Sequence, residues 1–171
     1  MTLIELMATV AVIGIVATLA VPRFQNTYDR MEYRSASRDM VSTINYARSL
    51  AVSDKAQYGV HFAWYPNVVT IFKDSINPSA GTFDANDPVI RCDTLSEMIE
   101  YVDMDVSNRI IVFMPNGSAE FSGGGNIFSH GYLAGEMMQY CIHVVPATGK
   151  ARSYDSWEEW AQNHDPGYEQ Y

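Results

Sequence analysis

Residues 1–21 read MTLIELMATVAVIGIVATLAV, and no other part of the chain constrains its architecture as strongly. Glu5 is the one ionisable side chain in this run, and none occurs from Leu6 to Val21. At about 1.5 Å per residue, a helix of this length spans roughly 30 Å, the thickness of a bilayer core. The run therefore predicts a helix that lies in hydrocarbon or packs among other apolar helices.

Two other interpretations of this run fit the residues less well. A secretory signal peptide has a basic region before its apolar core, whereas the first basic residue here, Arg23, follows the run. A soluble core helix shows polar residues at helical spacing, but the polar interruptions here are few: Thr2, Glu5, Thr9 and Thr18. Small residues that permit close approach of helices recur along the run: Ala8, Ala11, Gly14 and Ala17.

The helical pattern continues beyond the apolar run. Pro22 is predicted to kink the helix rather than end it, because apolar residues resume at helical spacing after it. Met40, Ile44, Ala47 and Ala51 fall on a single stripe. We therefore predict one long helix over about residues 2–52, whose second half packs on a globular head.

Downstream of residue 53 the sequence turns to β patterning. Alternating runs at 57–63 and 68–73 flank a Tyr-Pro-Asn turn, which indicates a hairpin. Further strands are predicted between turn residues at 89–92, 109–114, 118–121, 138–145 and 150–154. Residues 95–101 are predicted to form a short helical turn, and the glycines at 123–125 to break the chain.

The predicted fold class is α+β, a long N-terminal helix kinked near Pro22 and packed on an antiparallel head of about six to eight strands. Four segments make up the chain under this prediction. They are a transmembrane or filament-core helix (1–24), an amphipathic helix continuing into the head (25–52), a β-rich head (53–153), and an acidic, aromatic tail (154–171).

The net charge of −9 is unevenly distributed. Residues 1–52 hold five Arg against four acids, whereas residues 53–171 hold six Lys plus Arg against sixteen acids. The head is therefore acidic, which disfavours a nucleic-acid groove because such a groove needs clustered Lys and Arg. Neither GxSxG nor HExxH occurs and the four histidines are dispersed, so we predict no catalytic residue, no enzymatic activity and no metal-ligand cluster.

The residues Thr2-Leu3-Ile4-Glu5-Leu6-Met7, followed by a Val/Ala/Ile/Gly stretch to Pro22, resemble the mature N-terminus of a type IV pilin or pseudopilin. The resemblance implies a lollipop-shaped subunit that a prepilin peptidase cleaves before Met1 and methylates at Met1. It also implies that the subunit waits in the bacterial inner membrane until an assembly platform packs it into an extracellular or periplasmic filament. The residues alone leave open that Met1 is the initiator of a signal-anchored chain.

Under this resemblance, Glu5 faces the amine of Met1 on a neighbouring subunit and sets the register of assembly. An unpaired carboxylate in hydrocarbon is costly, and an ammonium nearby recovers much of that cost. The alternative is that Glu5 lies near the headgroups and reaches water. The positions expected to pack in the filament core are Leu3, Ile4, Leu6, Val10, Ile13, Gly14 and Val16.

Three later stretches, residues 45–51, 110–124 and 148–152, resemble the H-type minor pseudopilins of type II secretion and FimT-like minor pilins. The favoured function is a structural subunit of a type IV pilus-like or pseudopilus filament, with other copies of itself as partners. One alternative is a low-copy subunit that primes the filament tip together with other minor pilins. A second is a membrane-anchored, envelope-binding domain that does not polymerise.

Three smaller features allow two interpretations each. Cys92 and Cys141 are candidates for a disulfide in an oxidising compartment, or for two free thiols that behave as small apolar residues. Trp157 and Trp160 either dock on the head or contact a neighbouring subunit. In the polar loop at 77–88, the side chains of Asp84 and Asp87 are candidate Ca²⁺ ligands, but a solvated acidic loop is the simpler interpretation; no other cofactor is expected.

Overall fold

The computed structural model describes residues 2–64, 67–75, 82–84, 86–133 and 135–156, together with residues 159 and 161; in the helix, it does not describe the side chains at positions 19, 22 and 23. One long helix is followed by nine strands within these residues. The predicted α+β fold class, a long N-terminal helix on an antiparallel β head, is confirmed. The predictions for Met1, Trp157 and Trp160 lie outside the described residues, as does most of the predicted tail.

Helix α1 runs from Leu3 to Asp54 without a break in secondary structure at position 22, and the kink there stays a prediction. It ends where Lys55 adopts a left-handed backbone conformation, with φ of 51°. The predicted stripe is buried: Met40 is 1% exposed, and Ile44, Ala47 and Ala51 are 0% exposed. The second half of α1 is therefore an amphipathic helix whose apolar side packs on the head.

The strands form two antiparallel sheets. The first sheet has the order β3-β2-β1-β5-β6 and the second the order β4-β7-β8-β9. The strands are β1 (Tyr58–Phe62), β2 (Val68–Lys73), β3 (Val89–Thr94), β4 (Tyr101–Val106), β5 (Ile110–Phe113), β6 (Ala119–Glu120), β7 (Gly123–Leu133), β8 (Glu136–Val145) and β9 (Lys150–Tyr154), with a short 3₁₀ turn at Ser107–Arg109.

One core joins α1 to both sheets. Alternate residues of β1, β2 and β5 point to the helix from the first sheet, and alternate residues of β4, β7 and β8 point to it from the second. Phe83 covers the far side of the first sheet by packing on Phe72, with ring centroids 4.7 Å apart. The second half of α1 is therefore held by side chains from both sheets.

Arg109 links the two sheets directly. Its guanidinium donates to the carbonyl oxygen of Phe62 in β1, at 2.8 Å, and to that of Val102 in β4, at 2.7 Å. The same group lies 4.0 Å from the ring centroid of the exposed Trp64. Burial lowers the pKa of Arg109, but a guanidinium stays charged because its ordinary pKa is so high.

Two local predictions for the head need correction: the turn predicted over residues 95–101 is shorter, and the chain break predicted at residues 123–125 is wrong. Residues 95–101 hold a single turn, in which the Ile99 N–H donates to the Ser96 carbonyl at 2.9 Å, and strand β4 follows it. The glycines at 123–125 do not break the chain but begin the eleven-residue strand β7. Gly123 has φ of 130°, and a Cβ there would collide with the carbonyl oxygen of Asp105. Glycine is needed at this position so that β7 can approach β4.

Candidate assembly interface

The first turn of α1 carries its own cap. The Thr2 side chain accepts from the Glu5 N–H at 3.4 Å, and the Glu5 carboxylate accepts from the Thr2 N–H at 3.2 Å. This capping box satisfies backbone donors that the first turn of a helix leaves unpaired. The Thr-x-x-Glu spacing is the sequence signature of this cap, although the cap is not among the features predicted above. Glu5 therefore has a structural partner within its own chain, whatever it contacts in an assembly.

Beyond the cap, the first half of α1 is apolar and exposed. Leu3 and Ile4 are 81% and 76% exposed, and Ile13 is 66% exposed. The other large predicted core-packing side chains are exposed as well: Leu6, Val10 and Val16. A Cβ built at Gly14 would meet no described atom within 4 Å. The seven positions predicted to pack in a filament core thus share one surface that the head does not cover.

The two threonines beyond the cap do not make this surface polar. The Thr9 hydroxyl donates to the Leu6 carbonyl at 2.8 Å, and the Thr18 hydroxyl donates to the Ile15 carbonyl at 2.8 Å. Such bonds satisfy a hydroxyl within its own helix, as in helices packed in apolar surroundings. The surface therefore presents methyl and methylene groups on all sides.

A buried polar contact marks the place where the helix reaches the head. The Tyr33 hydroxyl donates to the Ser129 carbonyl in β7 at 2.7 Å, and the hydroxyls of Ser37 and Ser129 are 3.0 Å apart. Burial raises the pKa of Tyr33. Two exposed ion pairs flank this contact, Arg30 with Glu136 at 2.8 Å and Arg34 with Asp155 at 3.2 Å. The second half of α1 thus meets the head through polar as well as apolar contacts.

At the C-terminal end of α1, the structure brings together the three stretches that resemble minor pilins, residues 45–51, 110–124 and 148–152. The Arg48 Nε donates to the carbonyl of Gly117 at 3.0 Å and to that of Thr148 at 2.7 Å. Gly149 lies so close to Gly117 that a Cβ would collide with the Gly117 carbonyl oxygen. These residues join the helix end to two turns of the head, which is a structural role.

The remaining predicted site residues lie apart from the apolar surface. Cys92, on β3, is exposed, and Cys141, on β8, is buried; both are free thiols on strands of different sheets. Burial raises the pKa of Cys141 to about 12. The candidate Cys92–Cys141 disulfide is therefore not formed in the structure.

The two acids of the polar loop hold the loop itself together. The Asp87 carboxylate accepts from the N–H groups of Ser75 and Asp84, both at 3.1 Å, and the Asp84 carboxylate accepts from the Asn86 N–H at 2.9 Å. Over the described part of the chain, no group of three or more potential metal-ligating side chains occurs. A Ca²⁺ role for Asp84 and Asp87 stays a prediction.

Among the residues that the structure describes, no helix is both long enough and apolar enough to cross a membrane.

Comparison with known proteins gives two similar structures. Both are crystal forms of the type IV minor pilin FimU from Pseudomonas aeruginosa. The first is 16% identical to this chain, covers 74% of it and 90% of the FimU chain, and has a TM-score of 0.49. The second is 15% identical, with 71% and 91% coverage and a TM-score of 0.46. Similarity at this level concerns the backbone arrangement alone.

No protein-family model matches the sequence, and no curated protein matches it.

Proposed function

We propose that this chain is a structural subunit of a type IV pilus-like or pseudopilus filament, assembled by packing the first halves of α1 from many copies. The observation that carries the proposal is the exposed apolar surface formed by residues 3–18 and Val21. Fully burying one large aliphatic side chain is worth about 1.5 to 3 kcal/mol. A surface made of many such side chains favours association with other apolar helices.

The shape of this surface favours a bundle over a pairwise contact. An amphipathic helix has one apolar stripe, but here exposed apolar residues occupy consecutive positions, such as Leu3 with Ile4 and Val12 with Ile13. Such positions point to different sides of a helix. Neighbours on several sides are therefore needed to cover the surface, which is the arrangement at the centre of a helical filament.

Glu5 is proposed to set the register within that bundle. In a subunit by itself, its carboxylate accepts from the Thr2 N–H, and it retains lone pairs for a second donor. We propose that this donor is the Met1 amine of a neighbouring copy. A neighbour docked out of register leaves a charge unpaired in apolar surroundings, which costs several kcal/mol.

The proposal includes the path to the filament. Before assembly, the subunit is held in the bacterial inner membrane by its apolar segment, after a prepilin peptidase has processed it at Met1. An assembly platform then transfers it to the growing filament. The proposal assigns the chain no catalytic step.

A low-copy subunit that primes the filament tip is the second candidate. It is favoured by the meeting of residues 45–51, 110–124 and 148–152 at Arg48, since these stretches resemble minor subunits. Immunogold labelling of filaments distinguishes the two: a main subunit is labelled along the shaft, and a priming subunit at one end.

The filament proposal is tested by Ile13→Arg, expressed in cells that carry the native assembly machinery. A charge in the middle of the apolar surface costs several kcal/mol when it is buried among helices. We expect sheared filament protein to fall at least about tenfold, with the head still folded. Tyr132→Arg, at an exposed position of β7, is the matched control. Normal filaments in Ile13→Arg would favour the membrane-anchored domain that does not polymerise.

The register role is tested separately with Glu5→Gln and Thr2→Ala. Glutamine can serve in a capping box but carries no charge, so Glu5→Gln isolates the pairing with Met1. We expect filament yield to fall in Glu5→Gln and in Glu5→Ala. Thr2→Ala removes the capping hydroxyl, costs about 1 kcal/mol of helix stability, and is expected to leave assembly largely intact. Wild-type filament yield in Glu5→Gln contradicts the charge-pairing role.

A further inference from the structure

Strand β3 forms one end of the first sheet, and no strand among the residues that the structure describes pairs with its outer edge. Five of its six residues are exposed, Asp93 being the half-buried one. On the helix side of this edge lies a groove of about 630 Å³, lined by α1 between residues 36 and 43 and by residues 91–96. Natural proteins usually cover or protect an edge strand because it presents unpaired backbone groups.

The hydrogen bonds of β3 show which of its backbone groups face outward. The Leu95 N–H donates to the Asn67 carbonyl at 2.9 Å, in line with the β2–β3 register. Backbone groups in an antiparallel ladder alternate between the two neighbours. The backbone N–H and C=O groups of Arg91 and Asp93, which lie at two-residue steps from Leu95, therefore bond to β2. The N–H and C=O groups of Cys92 and Thr94 point to the open edge.

The charges on this strand do not protect the edge. A charged residue normally prevents edge pairing because it meets a like charge on the incoming strand. Arg91 and Asp93 lie on one face of β3, on either side of Cys92, and form an ion pair at 2.6 Å. When two such strands pair antiparallel about Cys92, Arg91 of each copy lies opposite Asp93 of the other. The charge pattern is therefore complementary to itself.

We propose that two copies of this chain pair through β3, antiparallel and centred on Cys92, so that the two sheets join into one. The outward N–H and C=O groups of Cys92 then bond to those of the second copy. Arg91 and Asp93 form pairs without backbone bonds, in which opposing side chains approach most closely. The charges of the two copies thus form a cluster of four on the groove side.

This contact is isologous and uses the open edge of both copies, so it closes as a pair. It joins two heads and does not extend a filament. It depends on β3 and not on the apolar surface of α1, and it stands or fails independently of the proposed function.

The proposal is tested by cross-linking the full chain in detergent with a short thiol-to-thiol reagent. The exposed Cys92 serves as the reporter, and Cys92→Ser is the control that removes it. The charge test uses Arg91→Asp and Asp93→Arg, each of which places like charges opposite each other in both pairs. We expect either variant alone to lower the dimer yield by about threefold to tenfold.

An equimolar mixture of Arg91→Asp and Asp93→Arg chains restores opposite charges in both pairs, so we expect heterodimer yield near the wild-type level. The double variant carrying both changes is expected to behave in the same way. Association through the apolar helices cannot produce this pattern because neither substitution touches them. Equal yields in all variants, or no dimer from the wild type, overturns the proposal.

The register is tested with two further cysteine variants in the Cys92→Ser background, Arg91→Cys and Asp93→Cys. Residue 91 of one copy lies opposite residue 93 of the other, so we expect the mixture to cross-link at least about threefold more than either variant alone. The mixed pair also retains one Arg91–Asp93 contact. Equal cross-linking in the two unmixed samples and the mixture contradicts pairing centred on Cys92.

Discussion

The two halves of helix α1 are continuous in backbone but opposite in environment. In the first half, Ile13 is 66% exposed. In the second half, Ile44 is 0% exposed and lies in the core shared with both sheets. The same residue type therefore has two energetic roles in one helix. In the second half it stabilises the fold of a single chain, whereas in the first half it stays exposed and adds little to that fold.

The largest difference between the two halves is expected in the free energy of unfolding of the variants Ile44→Ala and Ile13→Ala. Truncating a fully buried isoleucine leaves a cavity and lowers the free energy of unfolding by about 2 to 5 kcal/mol. The same truncation at Ile13 is expected to change that free energy by less than about 0.5 kcal/mol. Denaturant unfolding of the full chain in detergent, followed by near-UV circular dichroism of the head, measures both. Comparable losses of unfolding free energy in the two variants would contradict the division of α1 into a buried and an exposed half.

A smaller effect is expected where the two halves meet. Tyr33→Phe removes the hydroxyl that donates to the Ser129 carbonyl and leaves that buried acceptor with one partner fewer. We expect the free energy of unfolding to fall by about 1 to 2 kcal/mol. Tyr28→Phe is the matched control, since Tyr28 lies on the same helix but is 68% exposed. An equal change in both variants shows that the Tyr33 contact does not anchor the helix.

The smallest effect on the free energy of unfolding is expected in alkaline solution, at the C-terminal end of α1. The Tyr58 hydroxyl donates to the Asp54 carboxylate at 2.6 Å, and this bond raises the pKa of Tyr58 from 10.0 to about 12. Since the folded-state pKa is the higher one, the stabilisation is complete below pH 10 and is lost as the pH rises toward 12. The effect is modest because Asp54 is exposed and solvent screens the interaction.

Unfolding measured at several pH values between 9 and 12 tests this expectation. In Tyr58→Phe the loss of stability above pH 10 should be smaller than in the wild type. Tyr33 also has a raised pKa, so a residual alkaline loss is expected in that variant. A pH dependence unchanged by Tyr58→Phe contradicts the role assigned to the Asp54 hydrogen bond.

The sequence predicted those parts of the fold in which one periodic pattern dominates. The stripe of Met40, Ile44, Ala47 and Ala51 identified the packed side of α1 because burial follows helical spacing. The prediction failed for β4, where alternation of Val102, Met104 and Val106 was present but the preceding residues suggested a helical turn. It failed again at residues 123–125, since only the position of β4 shows why glycines begin a strand there.

The run of apolar residues identified the surface described above, but its packing in a filament core stays a prediction. All seven expected filament-core positions lie on the surface that the head leaves uncovered. The cap formed by Thr2 and Glu5 was missed because Glu5 was considered only for partners outside its own chain, either a neighbouring subunit or water. The open edge of β3 was also missed, because strand order is a property of the folded sheet and cannot be deduced from the pattern of a single strand.

The hydrogen bonds of Arg48 have a consequence for the order of folding. Its two carbonyl acceptors lie 69 and 100 residues later in the chain. Contacts between residues so far apart in sequence form slowly, because the ends of a long loop must first meet. Most of the head must therefore be synthesised before Arg48 can bond to either turn. Until then, the buried stripe of α1 is exposed in the nascent protein, as vulnerable to aggregation as the apolar half that precedes it.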